Sequence, residues 1–204
     1  HKGEILGLTG LVGARRTEVV QTIFGAEKLT SGKIYLEGKE VKVKCPTDAM
    51  KLGIGLLPEN RQIEGLILDW GIGRNITLTE LKSYVNKLFL DEKRENENAK
   101  ELAERVDTKA VSVFDKASSL SGGNQQKVVV AKALGSNFKV LILDEPTKGV
   151  DVGAKAAIYE IMGDLALQGY AIIMISSEMP EILGMCDRIA VMCEGRVTGE
   201  LMRG

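Results

Sequence analysis

Histidine is all but absent from this chain: His1 is the only one in 204 residues. No imidazole is therefore available at any later position where catalysis would require one. Cysteine is scarce too. Cys45, Cys186 and Cys193 are an odd number without metal-ligand spacing, which reads as free thiols, buried or incidental, in a reducing cytosol. Neither sign of charge is in excess: 27 Lys and Arg face 28 Asp and Glu, a net charge of −1, mixed along the sequence. There is no basic stripe of the kind nucleic-acid binding needs, so no nucleic-acid partner is expected. No run approaches the ~18–20 apolar residues of a membrane-spanning helix, so a membrane role has to come through a partner. A signal-peptide pattern, internal repeats and low-complexity segments are missing as well. What is present is 44% hydrophobic residues, enough at this length for one good core. One domain over 1–204 is expected, with a helical subdomain over about 75–135. Lys2–Leu8 reads as a turn entering an apolar strand that has no upstream partner, so the expectation is a domain truncated at its N-terminus.

Ile5–Thr9 reads as a buried strand leading into the loop Gly10-Leu11-Val12-Gly13-Ala14-Arg15-Arg16-Thr17. The helix that follows bears Val19, Val20 and Ile23 and stops at Gly25. Lys33–Leu36 and Glu40–Val43 alternate apolar and polar residues around Glu37-Gly38-Lys39, the pattern of a β-hairpin. Asp48–Leu52 reads as a short helix and Ile54–Leu57 as a strand ending at Pro58-Glu59-Asn60-Arg61. From Asn75 to Ala117, Leu88, Leu102 and Val106 are set among many charges, which predicts solvated amphipathic helices. Beyond Gly123 a helix bears Val128, Val129, Val130, Ala131 and Leu134. Asp151 is placed to cap a helix ending near Gly169, Ala171–Ile175 is an apolar strand, and Pro180 suits the first turn of the next helix. Ile189–Met192 and Arg196–Gly199 close the chain as a strand pair. Strands alternating with helices predict an α/β sandwich with a mainly parallel sheet.

Three segments bear on chemistry. In Val140-Leu141-Ile142-Leu143-Asp144-Glu145-Pro146, four apolar residues running into two acids read as a buried parallel strand that delivers carboxylates to its C-terminal end. Open α/β sheets bind their ligands there, and buried carboxylates are costly unless paired or coordinated. In Leu120-Ser121-Gly122-Gly123-Asn124-Gln125-Gln126-Lys127, the Ser-Gly-Gly opens a helix. A hydroxyl and backbone N–H groups then point outward as an anion site. The loop Gly10–Thr17 matches the phosphate-binding pattern G-x-x-x-x-G-K-[ST] only at Gly10 and Thr17. Arg15 stands at the second glycine, where a β-carbon in the left-handed region costs roughly 1–2 kcal/mol. Arg16 stands at the lysine; it keeps the charge but brings a planar fork to a point-charge slot. Alone, the loop reads equally well as an ordinary turn.

In order, the chain has a phosphate-loop-like turn, the turn Pro58–Arg61, a helical insert, Leu120–Lys127, the acidic strand, Lys148-Gly149-Val150-Asp151 and the strand end Ile175-Ser176-Ser177-Glu178. That ordered set, over essentially the whole chain, resembles the ATPases of ATP-binding cassette (ABC) systems. Leu120–Lys127, Lys148–Lys155 and Ser176–Glu181 narrow the resemblance. They look like the second, C-terminal nucleotide-binding half of the fused ATPase subunit of monosaccharide importers, of galactoside or ribose type. The fold implied is a P-loop NTPase with a mainly parallel core sheet, a small antiparallel β portion and a helical subdomain. The cofactors implied are ATP and Mg²⁺. Gly10, Val12, Gly13, Ala14, Arg15, Arg16, Thr17 and Glu18 would surround the nucleotide phosphates, with Glu59, Ser121, Gly122, Gly123 and Asp151 as further contacts. Thr17, Asp144 and Glu59 would serve the metal. Glu145 would polarise the attacking water, and Ser177 occupies the place of a switch histidine. Glu59 stands where the family has a glutamine.

The resemblance also implies a division of labour. ABC sites form between two nucleotide-binding domains, so Ser121-Gly122-Gly123 would complete the competent site of a missing N-terminal half of the same subunit. This chain's own loop would build a weaker site, with little turnover by the isolated domain. Transmembrane permease subunits and, indirectly, a sugar-binding protein are the further partners implied, at the cytoplasmic face of the cell membrane. A regulatory pseudo-ATPase without turnover is the alternative, favoured by Arg15, Arg16 and Ser177 and opposed by Glu145. A soluble ATPase of DNA repair or translation is disfavoured, because the insert is too short and too mixed in charge. Ser121 and Gly122 are expected to be exposed at the start of their helix.

Overall fold

The computed structural model describes residues 1–86, 88–110 and 112–203. In chain order the first elements are β1 (Ile5–Gly10), α1 (Arg16–Phe24), β2 (Ile34–Leu36), β3 (Lys39–Val41), α2 (Pro46–Lys51) and β4 (Ile54–Leu57). A π-helical turn (Arg61–Gly65), α3 (Ile72–Thr77), a 3-10 segment (Leu78–Tyr84), β5 (Val85–Asn86), β6 (Phe89–Leu90) and α4 (Glu92–Arg105) follow. A 3-10 turn (Ala117–Ser119), α5 (Gly122–Leu134), β7 (Val140–Asp144), α6 (Val152–Leu167), β8 (Ala171–Ile175), α7 (Met179–Met185), β9 (Arg188–Cys193) and β10 (Arg196–Met202) complete the chain. These divide into two compact units: His1–Leu56, Phe138–Pro146 and Met162–Gly204 form one, and Leu57–Asn137 with Thr147–Ile161 the other.

The first unit is built on a six-stranded sheet in the order β10-β9-β1-β8-β7-β4. β1 pairs in parallel with both β8 and β9, β7 pairs in parallel with β8, and β10 runs antiparallel to β9. The apolar runs dictate this arrangement. Leu141, Ile142, Leu143, Ile172, Met174 and Ile175 are all buried, as strands in the interior of a parallel sheet must be. Leu8, Ile142 and Ile175 form one core cluster with Val20 of α1, Ala49 of α2, Val43 and Ile54. Leu8 and Asp144 are both in register with Ile175, so β1, β7 and β8 end at one edge of the sheet. The β2–β3 hairpin turns through Glu37 (φ 51°) and Gly38 (φ 77°), the left-handed pair that a tight hairpin requires. On β1, a Cβ added to Gly7 would lie 2.7 Å from Cys186 Sγ, so the thiol fills the space over the strand. Burial pushes that thiol up to about 12.

The second unit packs α3, α4 and α5 around Ile72, Ile76, Ala99, Leu102, Val106, Val128 and Val129. Asn75 is fully buried, and its amide is consumed locally: Oδ1 accepts from Ile67 N (2.8 Å), and Nδ2 donates to Ile67 O (3.0 Å) and Gly71 O (3.1 Å). Asp91 caps α4 by accepting from Arg94 N at 3.1 Å. The sequence pattern does not announce the β5–β6 hairpin. It stops the last strand at Gly199, whereas β10 runs on to Met202 past an irregularity at Val197–Gly199.

Candidate functional site

In the first unit, the loop after β1 is shaped by two glycines and strained by one arginine. A Cβ on Gly10 would come within 2.2 Å of Met192 O, so no other residue fits there. Gly13 is left-handed (φ 86°) with open space around it. Ala14 is buried, its carbonyl accepting from Gly195 N (3.1 Å), while Leu11 and Val12 are almost wholly exposed. Arg15 takes φ 63°, ψ 36° just before α1, the left-handed conformation that its β-carbon disfavours. Thr17 is half-buried and Glu18 exposed in the first turn of α1.

Arg16 reaches across to the ends of β7 and β8. Its Nη1 donates to Ser176 O at 2.9 Å, and Nη2 lies 3.8 Å from Glu145 Oε1. Glu145 follows the buried Asp144 with φ 50° and donates its N–H to Ile175 O (3.0 Å). Its other oxygen, Oε2, accepts from Ser177 Oγ at 3.2 Å. Behind them, Ser176 Oγ donates to the buried Glu181 (2.7 Å) and accepts from Glu178 N (3.0 Å). The structure thus brings Arg16, Glu145 and Ser177 together, through an ion pair at 3.8 Å and one hydrogen bond. The loop Gly10–Ala14, Ser177, Met179 and Val191–Glu194 line an open cavity of about 530 Å³ beside it.

Gly13 leaves open space of the kind a phosphate would need beside the backbone, and Thr17 and Asp144 are hard oxygen donors of the kind Mg²⁺ takes. Among the described residues no group of three His, Cys, Asp or Glu could hold a metal. A Mg²⁺ ion here would therefore need most of its ligands from nucleotide and water.

In the second unit, Ser121 caps α5: Oγ accepts from Asn124 N (3.4 Å) and Asn124 Nδ2 (3.0 Å). Gly123 is buried, and a Cβ there would lie 2.4 Å from Ala154 Cβ. Gly122 is not the exposed position its sequence context predicts. It is half-buried, because a Cβ would meet Arg61 Nη2 at 2.6 Å and Gly149 O at 3.1 Å. Asp151 caps α6, accepting from Ala154 N at 3.0 Å. Ser121, Gly123, Asn124, Asp151 and Ala154 share a cleft of about 280 Å³ with Asp107 and Lys127. Glu59 also belongs to this unit, where its carboxylate pairs with Lys148 Nζ.

Arg61, quoted in the sequence only as part of a turn, is the residue that pattern reading missed. It donates to Lys148 O (2.8 Å) and Gly149 O (3.2 Å), and burial lowers its pKa from the ordinary arginine value. The one signal available was an arginine directly after a strand-ending Pro-Glu-Asn, and no local rule assigns it a target.

The family described as ABC transporter matches residues 1–148. The chain belongs to the ABC transporter family. Its ABC transporter relatives include the ribose import ATP-binding protein RbsA of Lacticaseibacillus paracasei, 54% identical over 201 residues, which are 98% of this chain and 40% of that protein. The RbsA of Bacillus subtilis is 53% identical over 201 residues, 98% of this chain and 41% of that protein. The chain thus spans about two fifths of the length of these curated relatives. A nucleotide-free ATP-binding cassette from an ABC transporter superposes with a TM-score of 0.86 at 23% identity, covering 99% of this chain and 81% of that one. A dimeric cassette in a post-hydrolysis state, bound to ADP and Pi, gives 0.83 at 22% identity, covering 100% and 88%. Those likenesses show the fold: the ABC ATPase P-loop fold, with a mostly parallel sheet, small antiparallel sheets and helices.

Proposed function

We propose that this chain is an ATP-binding, energy-coupling half of the ATPase subunit of a monosaccharide importer. It donates Ser121-Gly122-Gly123 to an ATP site completed on an N-terminal nucleotide-binding half, and keeps a degenerate phosphate loop of its own. The names of the relatives support sugar import and make ribose the first sugar to test. Permease subunits and, through them, a sugar-binding protein are the further partners, at the cytoplasmic face of the membrane. No helix among the described residues is long and apolar enough to cross one.

The observation that carries the reading is the contrast between the two groups of residues. The Ser121 cap is intact and its glycines are enforced by close neighbours. The phosphate loop holds Arg15 in a left-handed conformation and commits Arg16 to Ser176 and Glu145. Bound at that loop, ATP·Mg²⁺ supplies a labile phosphoanhydride and a Lewis acid. Toward it, Gly13 gives backbone room and Thr17 and Asp144 give oxygen donors. Glu145 stands ready to orient a water but is held by Arg16 and Ser177. The same contacts favour a second reading, a regulatory nucleotide-binding domain without turnover. The retained Glu145 opposes it.

ATP turnover separates these readings. The isolated chain is expected to hydrolyse ATP at background rate. Ser121→Arg in the assembled transporter should cut turnover by about 10²–10³, the usual cost of losing a transition-state donor. Robust hydrolysis by the isolated chain, abolished by Glu145→Gln, would overturn the degenerate-loop reading. Full activity of the Ser121→Arg transporter would overturn the donation in trans.

A further inference from the structure

We infer that Arg61 is a positioning residue for the Ser121-Gly122-Gly123 turn. Its guanidinium holds the start of α5 against the Lys148-Gly149 turn that leads to Asp151, so the two segments move as one body. The inference rests on the proposed donation of that turn to a partner's nucleotide.

The geometry is specific to an arginine. Its fork donates Nη1–H to Lys148 O at 2.8 Å and Nη2–H to Gly149 O at 3.2 Å, two carbonyls of consecutive residues. A planar guanidinium with donors in fixed directions satisfies such a pair, whereas an ammonium presents a single point charge. Nη2 is also the atom that a Cβ at Gly122 would strike at 2.6 Å, so the same group lies against Gly122 while it binds Gly149. Gly149 itself is left-handed (φ 67°), a conformation that a side chain would strain.

Among the described residues no carboxylate pairs with Arg61, and its Nε is buried without a partner. A half-buried charge held by carbonyl dipoles, with its Nε left unsatisfied, is a costlier device for fastening two loops than neutral side chains packed there would be. The neighbours of Arg61 tie the same segments. Glu59 pairs with Lys148, and Gln62 Nε2 donates to Gln125 Oε1 at 3.0 Å, one turn into α5. Gln125 in turn donates to Ala117 O at 3.3 Å. The π-helical turn that begins at Arg61, capped by Asn60 Oδ1 accepting from Ile63 N at 3.3 Å, sets the spacing of these three ties.

The test uses the full two-half subunit assembled with its permease. Arg61→Lys, which keeps charge and length but not the fork, should lower kcat for ATP by about 10–10²-fold through misplacement of the turn. KM for ATP should stay within about two-fold, because the nucleotide is held by the other half. The Gly122→Ala methyl group must displace the guanidinium, so Gly122→Ala should lower kcat to a similar degree. Arg61→Ala combined with Gly122→Ala should then be little worse than Arg61→Ala alone, because the guanidinium clash is gone and Gly149 O, 3.1 Å from the methyl group, has to give by only a few tenths of an ångström. Should Arg61→Ala fail to fold, Arg61→Lys and Gly122→Ala with unchanged melting temperatures still decide. Wild-type kcat for Arg61→Lys, or a double variant in which the two losses multiply, overturns the positioning role. If Ser121→Arg also leaves activity intact, the donation in trans falls and this inference with it. Loss with Ser121→Arg beside full activity of Arg61→Lys overturns the positioning role alone.

Discussion

Arg15 and Arg16 are neighbours with opposite consequences. Arg15 bears a β-carbon where the backbone is left-handed (φ 63°), a strain of roughly 1–2 kcal/mol. Arg16 satisfies its guanidinium at the strand ends, on Ser176 O and beside Glu145. Replacing both, as Arg15→Gly with Arg16→Lys in the two-half subunit, should restore backbone room and a compact ammonium to the loop. Calorimetry should show ATP binding at this loop tightened by about five-fold or more, at least roughly 1 kcal/mol. Phosphate release should stay low until Ser177→His is added. An unchanged affinity would mean that the arginines are not the defect. Sequence alone reveals that these two residues break a phosphate-loop pattern, because the mismatch is local. It does not reveal where Arg16 goes, since Ser176 lies 160 residues away and only the β1–β8 pairing brings it near.

At the scale of elements, α5 shows what pattern reading captures. Its Ser-Gly-Gly start and apolar Val128–Ala131 run are evident in the letters, and the helix begins at Gly122 with Ser121 as its cap. The same helix hides a polar cost. Lys132 donates to Gly65 O, and burial lowers its pKa from 10.5 to about 8. Below pH 8 the folded chain holds a poorly solvated cation. Between about 8 and 10.5 the unfolded chain keeps a proton that the folded chain has lost, so stability from this group rises with pH. Lys132→Met should stabilise the protein by about 1–3 kcal/mol at pH 7, with the advantage shrinking as pH rises through that window. Chemical denaturation at pH 7 and pH 10 reads the difference directly. A constant gap would show that Lys132 is solvated in the folded state. Elements without a periodic signature escaped the pattern. β5 and β6 are two residues each, too short to alternate, and a π-helical turn at Arg61–Gly65 follows no local preference.

On the scale of the whole molecule, the alternation of apolar strands and helices suffices for the fold class, and the ordered motifs suffice for the family. The six-stranded order is less accessible, because it depends on which strands neighbour β1. One ionic tie fastens that order at the sheet's end. Arg188, at the start of β9, donates to Glu4 at 2.6 Å and to Glu200 of β10 at 2.6 Å. The Arg188 hydrogen bond is the main cause holding the Glu4 carboxyl below its ordinary value of 4.5. Its contribution is therefore full above pH 4.5 and lost as pH falls through the lower folded-state value. Glu4→Gln should cost about 1 kcal/mol at neutral pH, and the two proteins should converge in acid. Parallel melting curves that never converge would show that the tie contributes nothing. Another pairing on the same strand bears on how the sequence can drift. Gly7 and Cys186 share one volume, with only 2.7 Å between the sulfur and a would-be Cβ. A lineage can therefore exchange them in one order only. Position 186 must shrink before position 7 can grow, and each intermediate that takes the steps the other way round meets a clash in the middle of the sheet.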